Sequence, residues 1–269
     1  MSKAFSLASW NVEHFKNAGA RVADVVAFLS TVKPDVFGLY EVEGKDVFDE
    51  LTRQMPGYQF HITEGQQVQE ILVGVKAGLT AFFTQKTEFR AGMPTLRPGA
   101  LLTVSLAGAN YPILFLHTKS GPEPIGWGIR DDMLERAIAF REVLESPASP
   151  RANYLFLGDL NTMGLKYLIK EHSLKPEVEL DKLDRLAAKA KMRRLQKDEP
   201  FSWWNGPQSR MPKSNLDHVV AADHLQFKMF GAAEIKVLGW PKEPTPAAQG
   251  AWIKKYSDHG LLYFEVQRV

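Results

Sequence analysis

The sequence predicts an α+β protein in which mixed β-sheets are stacked and covered by helices. Six segments place an apolar, strand-like run directly beside a polar residue suited to phosphate chemistry. These residues are Asn11, Glu41, His117, Asp159, Asp217 and Asp258. The apolar run comes first in four segments, whereas Asp217 and Asp258 precede theirs. If all six residues share one edge, the last two strands run antiparallel to the others, which purely parallel winding would not allow.

Hydrophobic periodicity supplies the remaining elements. Apolar residues recur at helical spacing in 20–32, 45–55 and 128–144, and Pro34 lies just beyond the first of these helices. Further strand candidates are 58–63, 69–76, 79–84, 100–106 and 201–204, separated by Gly, Pro or Asn. Helices between the early strands, followed by many strands, indicate stacked sheets with helices outside.

Composition narrows the class of protein. The 269 residues suffice for one large core, no Gly/Ser-rich or Pro-rich linker divides them, and the candidate site spans residues 11 to 259, so we predict one domain over 1–269. The absence of Cys excludes disulfides, thiolate zinc sites and Cys nucleophiles. No signal peptide or membrane-spanning run is evident, so we expect a cytoplasmic protein with no membrane association and no obligate protein partner.

Positive charge is concentrated in one segment, although the net charge is only +2. Residues 182–197 are rich in Lys and Arg, and Leu183, Leu186, Ala187, Ala190 and Arg194 follow helical spacing. We predict a helix whose basic face either contacts a phosphate backbone near the site or is simply solvated.

The most informative local motif is Gly-Asp-Leu-Asn at 158–161, which follows the apolar run YLFL. Gly158 permits a tight exit from a strand, and Asp159 and Asn161 can face the same side. Asp159 can orient or deprotonate a water molecule, and the Asn161 amide can donate to a phosphoryl oxygen. Taken alone, the motif also fits a simple turn.

Acidic and imidazole groups supply the remaining chemistry. Glu41 follows VFGLY, where it either binds an oxygen-preferring cation such as Mg²⁺ or faces solvent in a loop. Asp258 and His259 would contact different partners on a strand, one of them a metal and the other a phosphate. Asp217 can bond to His259 and raise the pKa of its imidazole. His117 can stabilise charge on phosphate or protonate a leaving oxygen.

Taken together and in this order, these segments resemble the endonuclease/exonuclease/phosphatase superfamily over essentially the whole chain. The resemblance rests on Trp10-Asn11, Glu41, GDLN at 158–161, LDHV at 216–219 and SDH at 257–259. It implies a four-layer α/β/β/α sandwich of two mixed β-sheets flanked by helices. It also implies catalytic roles for Asn11, Asp159, Asn161, His117, Asp217 and His259, and a Mg²⁺ site, with Mn²⁺ as a substitute, at Glu41, Asn11 and Asp258.

Within that resemblance, Asp159 aligns or activates the attacking water, with His259 as the alternative base. Glu13 is similar to an acidic metal-site residue of some nuclease members, and Arg97 to a phosphate-contacting arginine of deoxyribonucleases. Trp203 and Trp204 resemble an aromatic segment of the exonuclease III branch and can stack on bases. If they lie on a strand, only one of them faces the substrate.

We therefore predict a Mg²⁺-dependent phosphodiesterase that cleaves nucleic acid, either DNA or RNA, by in-line attack of water. The first alternative is a phosphatase or phosphodiesterase acting on a lipid or a small soluble phosphoester. A lipid substrate often requires an apolar membrane-docking loop, and none is evident in the sequence. The second alternative is a catalytically inactive nucleic-acid-binding module.

Overall fold

Two six-stranded sheets form the centre of the protein. The computed structural model describes residues 2–15, 20–66, 69–147 and 150–268. Its strands are β1 Lys3–Phe15, β2 Val36–Val42, β3 Tyr58–Ile62, β4 Glu70–Lys76, β5 Thr80–Lys86, β6 Gly99–Leu106, β7 Ala109–His117, β8 Leu155–Asp159, β9 Met192–Arg194, β10 Asp217–Ala222, β11 Lys236–Leu238 and β12 Leu261–Gln267. Its α-helices are α1 Ala20–Val32, α2 Lys45–Gln54, α3 Pro124–Leu144, α4 Pro176–Lys189 and α5 Pro246–Lys255.

Both sheets are mixed. The first has the order β11-β12-β1-β2-β4-β3, and the second has the order β5-β6-β7-β8-β10-β9. The pairs β1/β2 and β7/β8 are parallel, and each is joined by a crossover helix, α1 or α3. Strand β12, which follows Asp258, is antiparallel to β1. Strand β10, which begins at Asp217, is antiparallel to β8. This arrangement confirms the strand directions predicted from the sequence.

Three hydrophobic clusters bind the layers together. The largest lies between the sheets, where Phe5, Tyr40, Phe115 and Leu157 are fully buried. A second cluster packs α1, α2 and α5 on the first sheet, and a third packs α3 and α4 on the second sheet. The result is the α/β/β/α sandwich that the sequence predicted, because each sheet buries one face on its partner and the other on helices.

The periodic segments correspond closely to the observed elements. The predicted helices 20–32 and 45–55 match α1 and α2, and α3 begins four residues before the predicted start at 128. The strand candidates 58–63, 69–76, 79–84 and 100–106 match β3 to β6 within two residues. Among the described residues, no helix is long and apolar enough to cross a membrane.

Two predicted elements are wrong. The basic helix predicted over 182–197 ends at Lys189, because Lys191 has a left-handed φ of 53° and Met192 then enters strand β9. Several of its basic side chains are paired, Lys182 with Asp131, Arg193 with Glu234 and Arg194 with Asp184. Segment 201–204 is no regular strand, since Trp203 makes only isolated bridges with Ser214 and His259.

Candidate active site

The polar strand ends of both sheets meet around the side chain of Asn11. Asn11 Nδ2 donates to Glu41 Oε1 at 3.1 Å and to Asp159 Oδ2 at 2.9 Å. Asn11 Oδ1 accepts from the amide of Glu13 at 3.0 Å. Asn11 therefore links a carboxylate of the first sheet to a carboxylate of the second and fixes their separation.

Unusual backbone conformations are concentrated at this junction. Glu13, His14, Glu41 and Asn161 all have left-handed φ angles, between 47° and 63°. Such conformations cost about 1–3 kcal/mol each for non-glycine residues and persist where the surrounding structure fixes them. Glu13 and His14 lie in β1 and Glu41 in β2, near the place where the register of this strand pair shifts, and Asn161 follows the end of β8.

Gly158 is required for the Asp159 turn. Its φ is 147°, and an added Cβ would lie 1.8 Å from the carbonyl oxygen of Leu116. No larger side chain fits between β8 and β7 at this point. The glycine of the GDLN motif therefore allows close strand pairing immediately before the Asp159 carboxylate.

A buried acid–imidazole pair stands on the opposite side of Asp159. His259 Nδ1 lies 2.8 Å from Asp217 Oδ2, which leaves Nε2 facing Asp159 Oδ2 at 3.8 Å. Asp217 is fully buried, and its amide donates to the hydroxyl of Ser202 at 3.0 Å. This pair fixes both the tautomer and the orientation of His259.

The pKa values of Asp159 and His259 are shifted in directions that suit proton transfer. Burial raises the pKa of Asp159 to about 7, the charge of His259 opposes the rise, and Asp217 and Glu41 add to it. Burial alone would lower the pKa of His259, but the carboxylates of Asp217, Asp159 and Asp258 raise it well above its usual range. Asp159 can therefore accept a proton near neutral pH, while His259 is cationic.

His117 and Arg97 form the rear wall of the site. Arg97 Nη2 donates to His117 Nε2 at 3.4 Å. His117 Nε2 also lies 3.5 Å from Asp159 Oδ2. Burial and the neighbouring Arg97 charge lower the pKa of His117 well below its usual range. This shift favours the neutral imidazole of His117, and the adjacent Arg97 guanidinium supplies positive charge.

Carboxylates dominate the front of the site. Asp258 Oδ2 accepts from the indole of Trp203 at 2.7 Å, and the Asp258 amide lies 3.3 Å from Glu13 Oε2. Burial raises the pKa of Glu13, and the Asp258 charge raises it further. Burial also raises the pKa of Asp258, with Glu41 and Asp217 adding to the shift. These carboxylates repel one another in a partly buried setting.

An open pocket of about 490 Å³ is lined by most of these groups, whereas Asn11 and Asp217 are buried. Its polar lining includes Glu13, His14, Glu41, Arg97, His117, Asp159, Asn161, Asp258 and His259, and its apolar lining includes Pro122, Met163, Pro176, Trp203, Met211 and Leu216. A second groove of about 670 Å³ also has Glu13 and His14 in its wall. The two depressions therefore meet at the acidic end of the site.

Comparison with known proteins assigns this arrangement to a family. A sequence profile described as the Endonuclease/Exonuclease/phosphatase family matches residues 8–259. The chain belongs to this family. Family members hydrolyse phosphoester bonds and use divalent metal ions. A comparison with curated proteins finds no match.

Several solved structures share the fold of this family member. They include D. rerio TDP2 complexed with a single-strand DNA product, with TM-score 0.70, 16% identity and coverage of 98% of this chain and 99% of that one. Truncated Caenorhabditis elegans TDP2 has TM-score 0.67, 16% identity and 98% coverage of both chains. The mannosyl-6-phosphatase Bt3783 of Bacteroides thetaiotaomicron VPI-5482 has TM-score 0.62, 13% identity and coverage of 98% and 100%. These identities support a shared fold only.

The donors present in this family member fit a divalent cation. Ligand atoms of Glu41, His117 and Asp159 lie within 4.8 Å of one another, as do those of Asp159, Asp217 and His259. The second set already contains the Asp217–His259 hydrogen bond, so the Glu41 end offers the freer oxygen donors. Among the described lining residues, Arg97 is the only Lys or Arg, and Arg21 lies 3.8 Å from Glu13 Oε2, so the repulsion among Glu13, Glu41 and Asp258 is only partly offset. A hard cation would relieve that repulsion.

The structure separates the two tryptophans predicted to bind substrate. Trp203 lines the pocket and donates to Asp258, whereas Trp204 is half-buried against Trp240 with ring centroids 5.9 Å apart. Lys213 lies over the Trp204 ring at 4.6 Å. Every other site residue predicted from the sequence lines the pocket, apart from Asn11 and Asp217, which are buried directly behind it.

Sequence reasoning missed several supporting residues. Ser202 accepts from the Asp217 amide, Trp10 Nε1 donates to the His259 carbonyl at 2.9 Å, and Thr118 O accepts from Asn161 Nδ2 at 3.2 Å. Each of them adjoins a motif residue in the sequence. Their adjacency in the sequence, Ser202 to Trp203, Trp10 to Asn11 and Thr118 to His117, could have indicated their supporting roles.

Proposed function

We propose that this protein is a Mg²⁺-dependent phosphodiesterase that cleaves nucleic acid, either DNA or RNA. The observation that supports this best is the pair of depressions that meet at Glu13 and His14. A phosphodiester extends on both sides of the scissile phosphorus, whereas a monoester extends on one. Arg97 lines the pocket, and Arg21 and Lys254 line the second groove. Cationic side chains can therefore contact backbone phosphates on both sides of the scissile phosphodiester.

The reaction is in-line hydrolysis with Asp159 as the proton acceptor. Its carboxylate is held by Asn11 Nδ2 and by the backbone amide of Asn161, which donates to Asp159 Oδ1 at 3.1 Å. These bonds aim the carboxylate while its raised pKa keeps it basic enough to take a proton from water. Mg²⁺, held by Glu41 with Asn11, Glu13 and Asp258 nearby, would supply positive charge to the phosphoryl oxygens.

Positive charge on the protein side comes from His259 and Arg97. The His259 imidazolium is stabilised by Asp217 and presents Nε2 to the pocket, where it can donate to a phosphoryl oxygen. Arg97 is buried and supported by His117, so its guanidinium is held for the same purpose. Preorganised donors of this kind are worth about 3–4 kcal/mol each in related chemistry.

A second candidate is a phosphodiester with an apolar portion, such as a phospholipid. The pocket wall opposite the carboxylates is formed by Met163, Pro176, Met211 and Leu216, which offer apolar contact and no hydrogen bonds from their side chains. The same fold occurs in D. rerio TDP2 complexed with a single-strand DNA product and in the mannosyl-6-phosphatase Bt3783, so the choice between the candidates depends on the grooves and not on the fold.

The deciding experiment is a substrate panel. Purified protein is incubated with plasmid, abasic duplex, single-stranded DNA, RNA, phospholipid vesicles and bis-p-nitrophenyl phosphate, with Mg²⁺ and with chelator. The Asp159→Asn variant serves as the control for contaminating nuclease, because it preserves the shape of the site. Chelator-sensitive cleavage of a polynucleotide supports the proposal, and hydrolysis restricted to phosphomonoesters or to lipids contradicts it.

A further inference from the structure

A short loop beside the pocket exposes apolar side chains to solvent. In residues 165–175, called the 165–175 loop below, Leu168 is 101% exposed, Ile169 is 53% exposed and Tyr167 is 41% exposed. Five of the thirteen exposed large hydrophobic residues in the described chain lie between Tyr167 and Val178. Such a concentration, unlike scattered single residues, marks an interaction surface.

The loop is held in a defined conformation. Leu165 and Leu174 exchange backbone hydrogen bonds of 2.9 and 2.8 Å, and the Tyr167 amide donates to the Ser173 hydroxyl at 3.0 Å. At its base, the Gly164 carbonyl accepts from Arg130 at 3.0 Å, and the Gly164 amide donates to Glu179 at 2.7 Å. The apolar side chains are therefore presented outward by a braced loop.

The loop begins and ends at the rim of the pocket. Met163 and Pro176, on either side of it, both line the pocket, and the Lys166 amide donates to the carbonyl of Pro122, a third lining residue, at 2.7 Å. Whatever the loop binds is thus brought to the mouth of the active site.

Basic residues surround the apolar tip. Lys166, Lys170 and Lys175 lie in the loop with a single carboxylate, Glu171. Within the described chain, none of these three lysines has an ion pair with a carboxylate. Their charges are available to an anionic partner.

We propose that the 165–175 loop docks the protein on an anionic phospholipid surface. Leu168 and Ile169 would enter the boundary between head groups and acyl chains, while the three lysines contact anionic head groups. A nucleic acid is a poorer match, because bases bind mainly to aromatic faces, whereas the most exposed side chains of the loop, Leu168 and Ile169, are aliphatic. A second copy of the chain would bring like charges together. The proposal concerns binding and does not depend on the proposed substrate.

Vesicle sedimentation tests the proposal without reference to catalysis. The vesicles contain phosphatidylcholine alone or phosphatidylcholine mixed with phosphatidylserine. Two variants are compared with wild type, Leu168→Ser with Ile169→Ser, and Lys166→Gln with Lys170→Gln and Lys175→Gln. The control is Val143→Ser, a comparably exposed position at 73% on helix α3. None of these residues lines the pocket, and circular dichroism with thermal unfolding reports whether each variant is folded.

Wild type and Val143→Ser are expected to bind the mixed vesicles and to bind neutral vesicles weakly. Both loop variants should lose at least about tenfold in partitioning, with unchanged hydrolysis of the soluble diester. Absence of wild-type binding, or equal binding by all variants, overturns the proposal. It is also overturned if the loop substitutions instead weaken binding of single-stranded DNA, or abolish a concentration-dependent dimer, while vesicle binding is absent.

Discussion

The two sheets share one strand arrangement but equip the common edge with different chemistry. Each has a central parallel pair joined by a helix, β1/β2 with α1 and β7/β8 with α3, and each has a later strand added antiparallel, β12 or β10. Asn11 on β1 corresponds to Asp159 on β8, and Glu41 on β2 corresponds to His117 on β7. Asp258, which precedes β12, corresponds to Asp217 at the start of β10. The chain has therefore placed two similar half-sites face to face.

The difference between these half-sites suggests a division of labour. The first sheet contributes the oxygen donors Glu13, Glu41 and Asp258, whose mutual repulsion favours a divalent cation. The second contributes Asp159 and Asp217, which form hydrogen bonds that control proton position. Asn11 crosses between them. We therefore expect substitutions in the first sheet to change metal dependence, and substitutions in the second to change turnover.

The largest effect is expected from Asp159→Asn. Removing the proton acceptor should lower kcat by about 10²–10⁴-fold, the range typical of a general base, while leaving divalent-cation affinity largely intact. Single-turnover kinetics on a soluble diester and titration with Mn²⁺ measure the two quantities separately. Retained turnover would remove Asp159 from its assigned role and leave His259 as the base.

Arg130 tests how the loops of the second half-site are held in place. Its guanidinium is fully buried, pairs with Glu179 at 2.6 Å and donates to the carbonyls of Lys119, Gly121 and Gly164, which lie in the loops after His117 and Asn161. Arg130→Met should cost about 3–5 kcal/mol of unfolding free energy, because it leaves a buried carboxylate unpaired.

The matched control for Arg130 lies on the same helix. Arg136 pairs with Asp132 at 2.8 Å, but both side chains are nearly half exposed. Arg136→Met should therefore cost less than about 1 kcal/mol. Urea denaturation of both variants gives the comparison, and equal costs would contradict the bracing role assigned to Arg130.

Glu41→Gln probes the metal half of the comparison. It keeps the hydrogen bond from Asn11 but removes one negative charge from the cation ligands. Metal affinity depends on ligand charge, so the Mg²⁺ concentration for half-maximal activity should rise by more than about tenfold, with activity partly restored at high Mg²⁺. Loss of kcat with unchanged metal dependence would move Glu41 out of the metal site.

Much of this plan could be predicted from the sequence because the deciding signals are local. A polar residue directly before or after an apolar strand gave both the site and the strand directions. The wrong basic helix shows the limit. Helical spacing continues in the sequence from Leu183 through Ala190 to Arg194. The helix nevertheless ends before Arg194, because that segment pairs as β9 with β10.

Other features depend on contacts between distant residues. Arg130 and Glu179 are 49 positions apart and occupy different helices, so no local pattern links them. The exposed 165–175 loop was not predicted, because three consecutive apolar residues do not by themselves show whether they are buried or exposed. Only the fold shows that these side chains face solvent beside the pocket.

The smallest expected effect is a pH dependence at Lys197, behind the second half-site. Its Nζ donates to the Asp217 carbonyl at 2.8 Å, and burial lowers its pKa from 10.5 to about 7. Between these values the unfolded chain binds a proton that the folded protein lacks, so this residue makes stability rise with pH. Unfolding free energies of wild type and Lys197→Met, measured at about pH 7 and about pH 9, should therefore diverge in favour of wild type at the higher pH. If the difference in unfolding free energy between wild type and Lys197→Met were the same at both pH values, Lys197 would be charged in the folded state. The second half-site would then accommodate a cation behind Asp217, as the groove beside the first half-site accommodates Arg21.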